Sequence, residues 1–423
     1  MPEPPATLQA WLEYQQRQHI HSIELGLARV REVAARLQLL QPGVPVWTVA
    51  GTNGKGSTSH AIAAMLGACG YSTGLFTSPH LLRYTERIRI DGTEVSEPLL
   101  LQAFAAIEAA RGAVPLTFFE YNALAALWVF RAAGVRAIVL EVGLGGRLDA
   151  TNIIDADVAV ICSIGMDHGD WLGSTLDAIG AEKAGILRAG RPVVLGTADL
   201  PASVWQRAAQ LQCPQWCAGR DFHWQVGSDG RWNYQSAACR LQALAPPALA
   251  GAIQYRNAAT ALAALQALRI PGSCSAEPLS RALAQLQLPG RLQIVPGAVE
   301  WLLDVAHNVP AAQVLADALA QRPCAGRTLA LFAALTDKDA AGIAQVLDAR
   351  IDHWVLCGID EPRGESAAEL RARLSVLRAP VELAVDVASA CARAQQLAQP
   401  GDRVVVFGSF HTVGPALAWL GLY

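Results

Sequence analysis

The sequence predicts an α/β fold in two unequal parts: a P-loop-containing N-terminal domain on a mostly parallel sheet, and a smaller Rossmann-like α/β C-terminal domain. Three observations carry this. An apolar β-branched run, Val46 to Val49, meets a loop of three glycines, one lysine and one hydroxyl, Gly51-Thr-Asn-Gly-Lys-Gly-Ser57, and then a helix-compatible run from Thr58 to Leu66. Apolar runs ending in polar residues then alternate with helical patterns down the chain, as βαβ units require. The rhythm pauses at Leu288-Pro-Gly-Arg291 and restarts beyond it. A chain of 423 residues exceeds what one core supports, so domains at 1–287 and 288–423 are expected.

Composition narrows the function classes. With 52% hydrophobic and 16% charged residues, the chain is a packed globular enzyme and not a disordered or nucleic-acid-coating protein. A net charge of −3 and a pI of about 6.3 give no global basic field, so nucleic acid is not an expected partner and phosphate binding must be local. Met1-Pro-Glu-Pro-Pro-Ala6 lacks the basic and apolar regions of a signal peptide, and no apolar run is long enough to span a bilayer. A cytoplasmic location without membrane contact is expected. Nine scattered cysteines, an odd number, fit reduced thiols, and the close pair Cys213-Pro-Gln-Trp-Cys217 is expected to pack and not to hold zinc. No sequence feature signals oligomerisation, so a monomer is the default expectation.

One bias is informative. The 33 basic residues include only three lysines, Lys55, Lys183 and Lys338. In a chain so weighted toward arginine, a retained lysine is expected where a compact amine does what a guanidinium cannot. For Lys338, chance survival on a solvated face stays open.

Taken in order, residues 7 to 39 read as two short helices, the second from Ser22 to Leu39 with Ile23, Leu27, Val30, Ala34 and Leu37 on one stripe. In the glycine loop, backbone N–H groups can approach phosphate oxygens and the following helix N-terminus adds positive dipole. Lys55 would reach the β- and γ-phosphates and Ser57 would ligate Mg²⁺. The loop departs from the general G-x-x-x-x-G-K-[ST] pattern, being two residues shorter before the lysine and carrying Gly56 after it. Thr73 to His80 is a short strand ending in polar residues. Leu82 to Gly92 carries mixed charge with a turn, and Ser96-Glu-Pro98 opens a helix. Glu120 to Ala133 is a helix ended by Gly134.

Ala137 to Glu141 is an apolar strand with a carboxylate at its C-terminal end, the edge where open α/β sheets bind ligands. A second glycine-rich segment follows to Asn152, then a buried strand from Val158 to Ile164 that ends in Gly165-Met-Asp167-His168. Parallel strands thus bring Ser57, Glu141 and His168 to one edge, a reasonable ligand set for Mg²⁺ although imidazole is unusual for a hard cation. His168 read alone is equally a hydrogen-bonded loop histidine. Ser174 to Asp177 caps a helix bearing Glu182-Lys183, Val193 to Leu195 is a strand, and Phe222 to Leu241 is a small β excursion around Asp229-Gly230. A helix from Tyr255 to Leu268 and another after Pro271 lead to the linker. Beyond it come Trp301 to Asn308, Leu329 to Leu335, Trp354 to Cys357 and Val404 to His411, each an apolar run with polar residues at its end.

Together these segments resemble a known family. The phosphate loop, Thr77-Ser-Pro-His80, Glu141 to Asn152, Asp167-His168, Glu182-Lys-Ala-Gly-Ile186, Leu288 to Arg291, Asp304-Val-Ala-His-Asn308 and Gly408-Ser-Phe-His-Thr-Val413 are similar, in order and over nearly the whole chain, to folylpolyglutamate synthases. The likeness is greatest to the bacterial bifunctional dihydrofolate synthase/folylpolyglutamate synthases, relatives of the Mur ligases. The loop's departure from the general pattern is itself a feature of that family.

The resemblance implies an ATP-dependent ligase: ATP phosphorylates a pteroate or folate carboxylate, and L-glutamate's amine attacks the acyl phosphate. It implies nucleotide contacts from Gly51, Thr52, Asn53, Gly54, Lys55, Gly56, Ser57, Asn257, Arg291 and Asp304. Ser57 and Glu141 would hold one Mg²⁺, and Glu141 and His168 a second. Lys183 matches a lysine that is carbamylated in the family, becoming an anion that helps organise the second metal, the alternative being a helix-surface lysine paired with Glu182. Asp304 and His307 would be the C-terminal domain's contribution to catalysis. Thr117, Phe119, Asp149 and Asn152 are candidates for the pterin-bearing substrate, with core and capping roles as their alternatives. A monofunctional folylpolyglutamate synthase, a Mur-type ligase acting on a nucleotide-sugar peptide, and a P-loop nucleotide switch are the competing readings.

Overall fold

The structure, a computed structural model, describes residues 5–18, 24–375 and 377–423. Among these residues the strands assemble into three sheets. The first contains β1 (Val46–Ala50), β2 (Thr73–Phe76), β3 (Ile88–Ile90), β4 (Thr93–Glu94), β5 (Ala137–Glu141), β6 (Val158–Ile161), β7 (Val193–Leu195) and β8 (Gln215–Cys217), in the order β4-β3-β2-β5-β1-β6-β7-β8. It is parallel from β2 to β8, and its antiparallel pairings are β2 with β3 and β3 with β4.

Its central strands read as continuous apolar runs because both faces are covered, as parallel sheets require. Trp47, Val49, Val139 and Val160 point to one side, where helices Lys55–Ala68 and Ile253–Ala267 pack. Ile138, Leu140 and Phe76 point to the other, against helices Glu97–Arg111 and Phe118–Ala133. The register sets Val49 beside Glu141 and Ala50 beside Ile161, so the loops after β5, β1 and β6 emerge side by side.

The second sheet, β9 (Phe222–Val226), β10 (Trp232–Ser236) and β11 (Arg240–Leu244), is the β excursion, extended by one strand beyond the expected hairpin. Alternation places Phe222, Trp232 and Tyr234 inward, and the Tyr234 hydroxyl donates to Gln266 Oε1 at 3.0 Å. The third sheet has the order β12-β13-β17-β14-β15-β16, from β12 (Gln293–Val295), β13 (Glu300–Leu303), β14 (Thr328–Phe332), β15 (His353–Cys357), β16 (Val381–Ala384) and β17 (Arg403–Phe407). It is parallel apart from β12 and carries helices on both faces.

Several expected boundaries shift for identifiable reasons. The mixed-charge stretch before Gly92 is the β3–β4 hairpin, with Asp91 and Gly92 both at positive φ, 51° and 80°. The helix expected from Ser22 is Ala28–Arg36, and Ser22 and Ile23 lie outside the described residues. The strand expected to reach Ile164 stops at Ile161, because the next residues bond to the glycine loop: Thr52 N–H donates to Ser163 O at 2.7 Å. Cys213 and Cys217 are buried free thiols, the first just before and the second at the end of an edge strand that the sequence reading left out. Among the described residues no helix is long and apolar enough to cross a membrane.

Candidate active site

The glycine loop after β1 turns into helix Lys55–Ala68 through Gly54, which sits at φ 89°. A Cβ at that position would lie 2.9 Å from Asn257 Oδ1, so the loop is pressed against helix Ile253–Ala267 and only glycine fits. Asn257 is fixed there by donating to Gln254 Oε1 at 2.9 Å. Lys55 folds back over the loop, donating to the carbonyls of Gly51 at 3.0 Å and Thr52 at 3.2 Å. Ser57 is buried in the first helical turn.

Lys183 ends helix Leu176–Lys183 and is not a surface lysine. It is only 5% exposed, and its Nζ donates to Gly51 O at 3.0 Å. Glu182 pairs instead with Arg147 at 2.8 Å. Burial, reinforced by the nearby charge of Lys55, pushes the Lys183 amine down to about 7.

Glu141 is buried at the C-terminal end of β5, and among the described residues its carboxylate receives one hydrogen bond, from Ser78 N–H at 3.1 Å. Burial pushes its carboxyl up, against the pull of Lys55. A buried carboxylate so sparsely satisfied fits a cation. Among the described residues no group of three His, Cys, Asp or Glu stands ready to hold a metal. The donors at this edge are a hydroxyl, a carboxylate and an imidazole; the two oxygen donors suit Mg²⁺, an ion that usually keeps several waters and takes substrate phosphates as ligands, and the imidazole is an unusual partner for it.

His168 follows β6 with a left-handed backbone, φ 52°, its N–H donating to Asp167 Oδ1 at 2.9 Å. Burial, with the charges of Lys338 and Lys55, lowers the imidazole to about 4 against the pull of Asp167, so it is neutral at pH 7. Asp167 meets the third sheet. Lys338 Nζ donates to its Oδ1 at 2.6 Å, Asn308 Nδ2 to its Oδ2 at 3.1 Å, and His307 Nε2 stands 3.6 Å from the same oxygen. Burial would raise this carboxyl, but His307, His168 and Lys338 hold it well below the usual range.

Lys338 is thus 7% exposed inside the cleft, and the solvated face is excluded. Its scarcity as a residue type was the signal for it. Asn308 has no such signal; it exchanges two amide hydrogen bonds with Asn53 of the glycine loop, at 2.9 and 3.1 Å. Arg291 reaches in from the linker, its guanidinium 5.1 Å from the Phe410 ring and 3.6 Å from where a Gly56 Cβ would be. Asp304 accepts the N–H groups of Leu292 and Ala306, both at 2.8 Å, and so fixes the linker to β13. His307 directs Nδ1–H to Val305 O at 2.8 Å.

Between the sheets lies a cavity of about 340 Å³, lined by Phe119, Asp149, His168, His307 and Lys338 among others. Thr117 also lines it while capping helix Phe118–Ala133 in a reciprocal pair with Glu120. Phe119 packs over Gly143, where a Cβ would come within 2.5 Å of the ring. Asp149 lines the cavity while accepting the N–H groups of Gly143, Leu144 and Thr151. Asn152 stands behind the wall, its amide bonded to Arg147 O and Gly185 O.

A phosphate loop on a parallel sheet with two lysines, Lys55 and the buried Lys183, on one loop carbonyl, facing a second α/β sheet across a cavity, defines a Mur-type ligase. The Mur ligase middle domain matches residues 49–265, and the Mur ligase glutamate ligase domain matches 290–410. Among curated proteins, the chain is 43% identical to the dihydrofolate synthase/folylpolyglutamate synthase of Escherichia coli, over 97% of this chain and 95% of that one. It is 39% identical to the Haemophilus influenzae protein of the same name, over 96% of each. The chain belongs to the dihydrofolate synthase/folylpolyglutamate synthase family. Among solved structures, E. coli FolC in complex with DHPP and ADP superposes with a TM-score of 0.94 at 42% identity, covering 100% of this chain and 99% of that one. A bifunctional folylpolyglutamate synthase/dihydrofolate synthase with Mn, AMPPNP and L-glutamate bound gives 0.91 at 44% identity, covering 100% of both.

Proposed function

We propose that this chain uses ATP to join L-glutamate to 7,8-dihydropteroate, giving dihydrofolate, and to reduced folates, giving folylpolyglutamates. The observation that carries the reading is the convergence of Lys55, Lys183 and the buried Glu141 on the glycine loop beside an aromatic-walled cavity. A carboxylate becomes a useful electrophile only when one oxygen carries a phosphoryl group, and phosphoryl transfer needs positioning and charge neutralisation more than a protein nucleophile.

In this reading the substrate carboxylate attacks the γ-phosphorus and ADP leaves; the glutamate amine then attacks the acyl carbon, phosphate leaves and the amine loses a proton. Lys55 and the loop N–H groups hold the phosphates. Asn257, Arg291 and Asp304 complete the nucleotide site. Thr117, Phe119 and Asp149 wall the pterin-bearing substrate, and Asn152 supports that wall from behind. His307 meets the second substrate from the third sheet. Ser57, Glu141 and His168 would hold up to two Mg²⁺ ions, which supply charge neutralisation on the phosphoryl oxygens. Lys183 captures CO₂ as a carbamate, for which an amine lowered to about 7 is suited because the neutral form is the nucleophile. Residues 1–287 and 288–423 would act as two domains, with closure keeping water from the acyl phosphate.

The test is ADP release with Mg²⁺, ATP and L-glutamate, in parallel with 7,8-dihydropteroate and tetrahydrofolate. Turnover with both is expected. Turnover with tetrahydrofolate alone would reduce the protein to a polyglutamylating enzyme, and silence with both would point to another acceptor.

A further inference from the structure

Cys239 and Cys274 lie outside the cleft, and the fold brings them together from separate parts of the chain. Cys239 sits in the turn between β10 and β11, where Ser236 N–H donates to Cys239 O at 2.9 Å. Cys274 sits beyond helix Ile253–Ala267, in a turn where Ser275 N–H donates to Gly272 O at 2.9 Å. Two contacts fix the juxtaposition. Nε2 of the buried Gln266 donates to Cys239 Sγ at 3.0 Å and to the carbonyl of Ser273, the neighbour of Cys274, at 3.3 Å. From the other side, Cys274 Sγ reaches Ala238 O, on the peptide that leads into Cys239, at 4.0 Å. The two thiols also interact directly: burial first, then the Cys274 thiol, pushes Cys239 up to about 12. Cys239 is half-buried and Cys274 is exposed. A zinc site wants three or four ligands, and among the described residues no group of three His, Cys, Asp or Glu forms here.

We propose that Cys239 and Cys274 are a modification site, a dithiol that a small disulfide such as oxidised glutathione converts to an intramolecular disulfide. Cys274, the accessible thiol, loses its proton and attacks one sulfur of the small disulfide; that S–S bond breaks and one small thiolate leaves. Cys239 then loses its proton and attacks the Cys274 sulfur of the mixed disulfide, expelling the second small thiolate. The two protons end on the two small thiolates, so the chain is oxidised by two electrons and one small disulfide is reduced to two thiols. The push of Cys274 on Cys239 ends once the Cys274 sulfur is bonded, which suits Cys239 to act second. The linkage would pin the three-stranded sheet to the end of the helix that holds Asn257 against the glycine loop.

The test treats the folded full chain with oxidised glutathione, blocks remaining thiols with N-ethylmaleimide, and maps unreduced tryptic peptides by mass spectrometry. Residues 232–240 and 270–281, each with one cysteine, should appear as a linked pair lighter than their sum by two hydrogens. The link should form at least about tenfold faster than glutathione adds to Cys324, because the second thiol is held beside the mixed disulfide. In Cys239→Ser, the glutathione adduct should accumulate on Cys274; in Cys274→Ser, Cys239 should remain a free thiol. A wild-type chain that collects the adduct on Cys274 without forming the link overturns the proposal. So does a link from Cys274 to Cys69, whose Sγ packs 3.3 Å from where a Gly272 Cβ would be, or a link that forms equally fast in urea. The wild-type measurement decides the matter even if a serine variant does not fold.

Discussion

The ammonium groups of Lys55 and Lys183 meet at one acceptor, the carbonyl oxygen of Gly51, each at 3.0 Å. Burial, reinforced by the charge of Lys55 beside it, pushes the Lys183 amine down to about 7. With the third lysine against Asp167, the chain spends all its lysines in this one cleft.

The lowered Lys183 fixes the sign of a pH effect. Between about pH 7 and its ordinary value near 10.5, the unfolded chain binds a proton at this site that the folded chain does not, so its contribution to stability rises with pH across that window. Lys183→Met removes the burial penalty. Its gain in melting temperature over the wild type should be largest at pH 6–7 and shrink toward pH 10. A gain independent of pH would show that the amine titrates normally.

The same residue carries the carbamate prediction. Lys183→Arg should lower turnover at least about a hundredfold, because a guanidinium cannot capture CO₂ and is always charged. Protein equilibrated with ¹³C-bicarbonate should show a carbamate carbon resonance that the arginine variant lacks.

Lys55→Met should lower kcat/KM for ATP by about 10²–10³, the usual loss when one charge-stabilising donor is removed from a transition state. The thermal shift produced by ADP should fall with it. A variant that keeps both would separate Lys55 from the phosphates.

Gly54→Ala imposes two costs. A left-handed residue with a Cβ loses roughly 1–2 kcal/mol, and the methyl would press on Asn257 Oδ1. Urea unfolding should register at least that loss. Adding Asn257→Ala should recover the steric part and leave the backbone part.

Asn308→Ala removes the cap of helix Val309–Gln321, a change worth about 1 kcal/mol, together with both bonds to Asn53. Asn308→Asp keeps the cap but sets a carboxylate against Asp167. Ala should therefore cost more stability from the cap, whereas Asp should raise KM for ATP more, through the displaced loop. Equal KM values for the two variants would remove the link between Asn308 and the loop.

The phosphate loop, the central strands and the order of Ser57, Glu141 and His168 along one sheet edge were legible because each is local. Parallel strands buried on both faces are apolar throughout, glycine marks the loop, and polar residues cluster where strands end. Short edge strands escaped notice: β4 and β8 have two and three residues, too few for alternation to register. Asn308 and the location of Lys338 escaped for another reason, since their partners Asn53 and Asp167 lie on the other sheet, far away in the chain.

What the sequence determined by itself is the chemistry: which amines, carboxylates and imidazoles exist, and which strand end presents each, because backbone periodicity and glycine placement act over a few residues. What only the tertiary structure decided is their electrostatic state. Lys183 stands out in the sequence by lysine scarcity and by resemblance, but only the packing of two elements sets it on the Gly51 carbonyl beside Lys55 and lowers its amine. For Lys338 a solvated face stays open until the third sheet carries it to Asp167. Burial and the proximity of other charges set a pKa, and both are properties of the assembled fold.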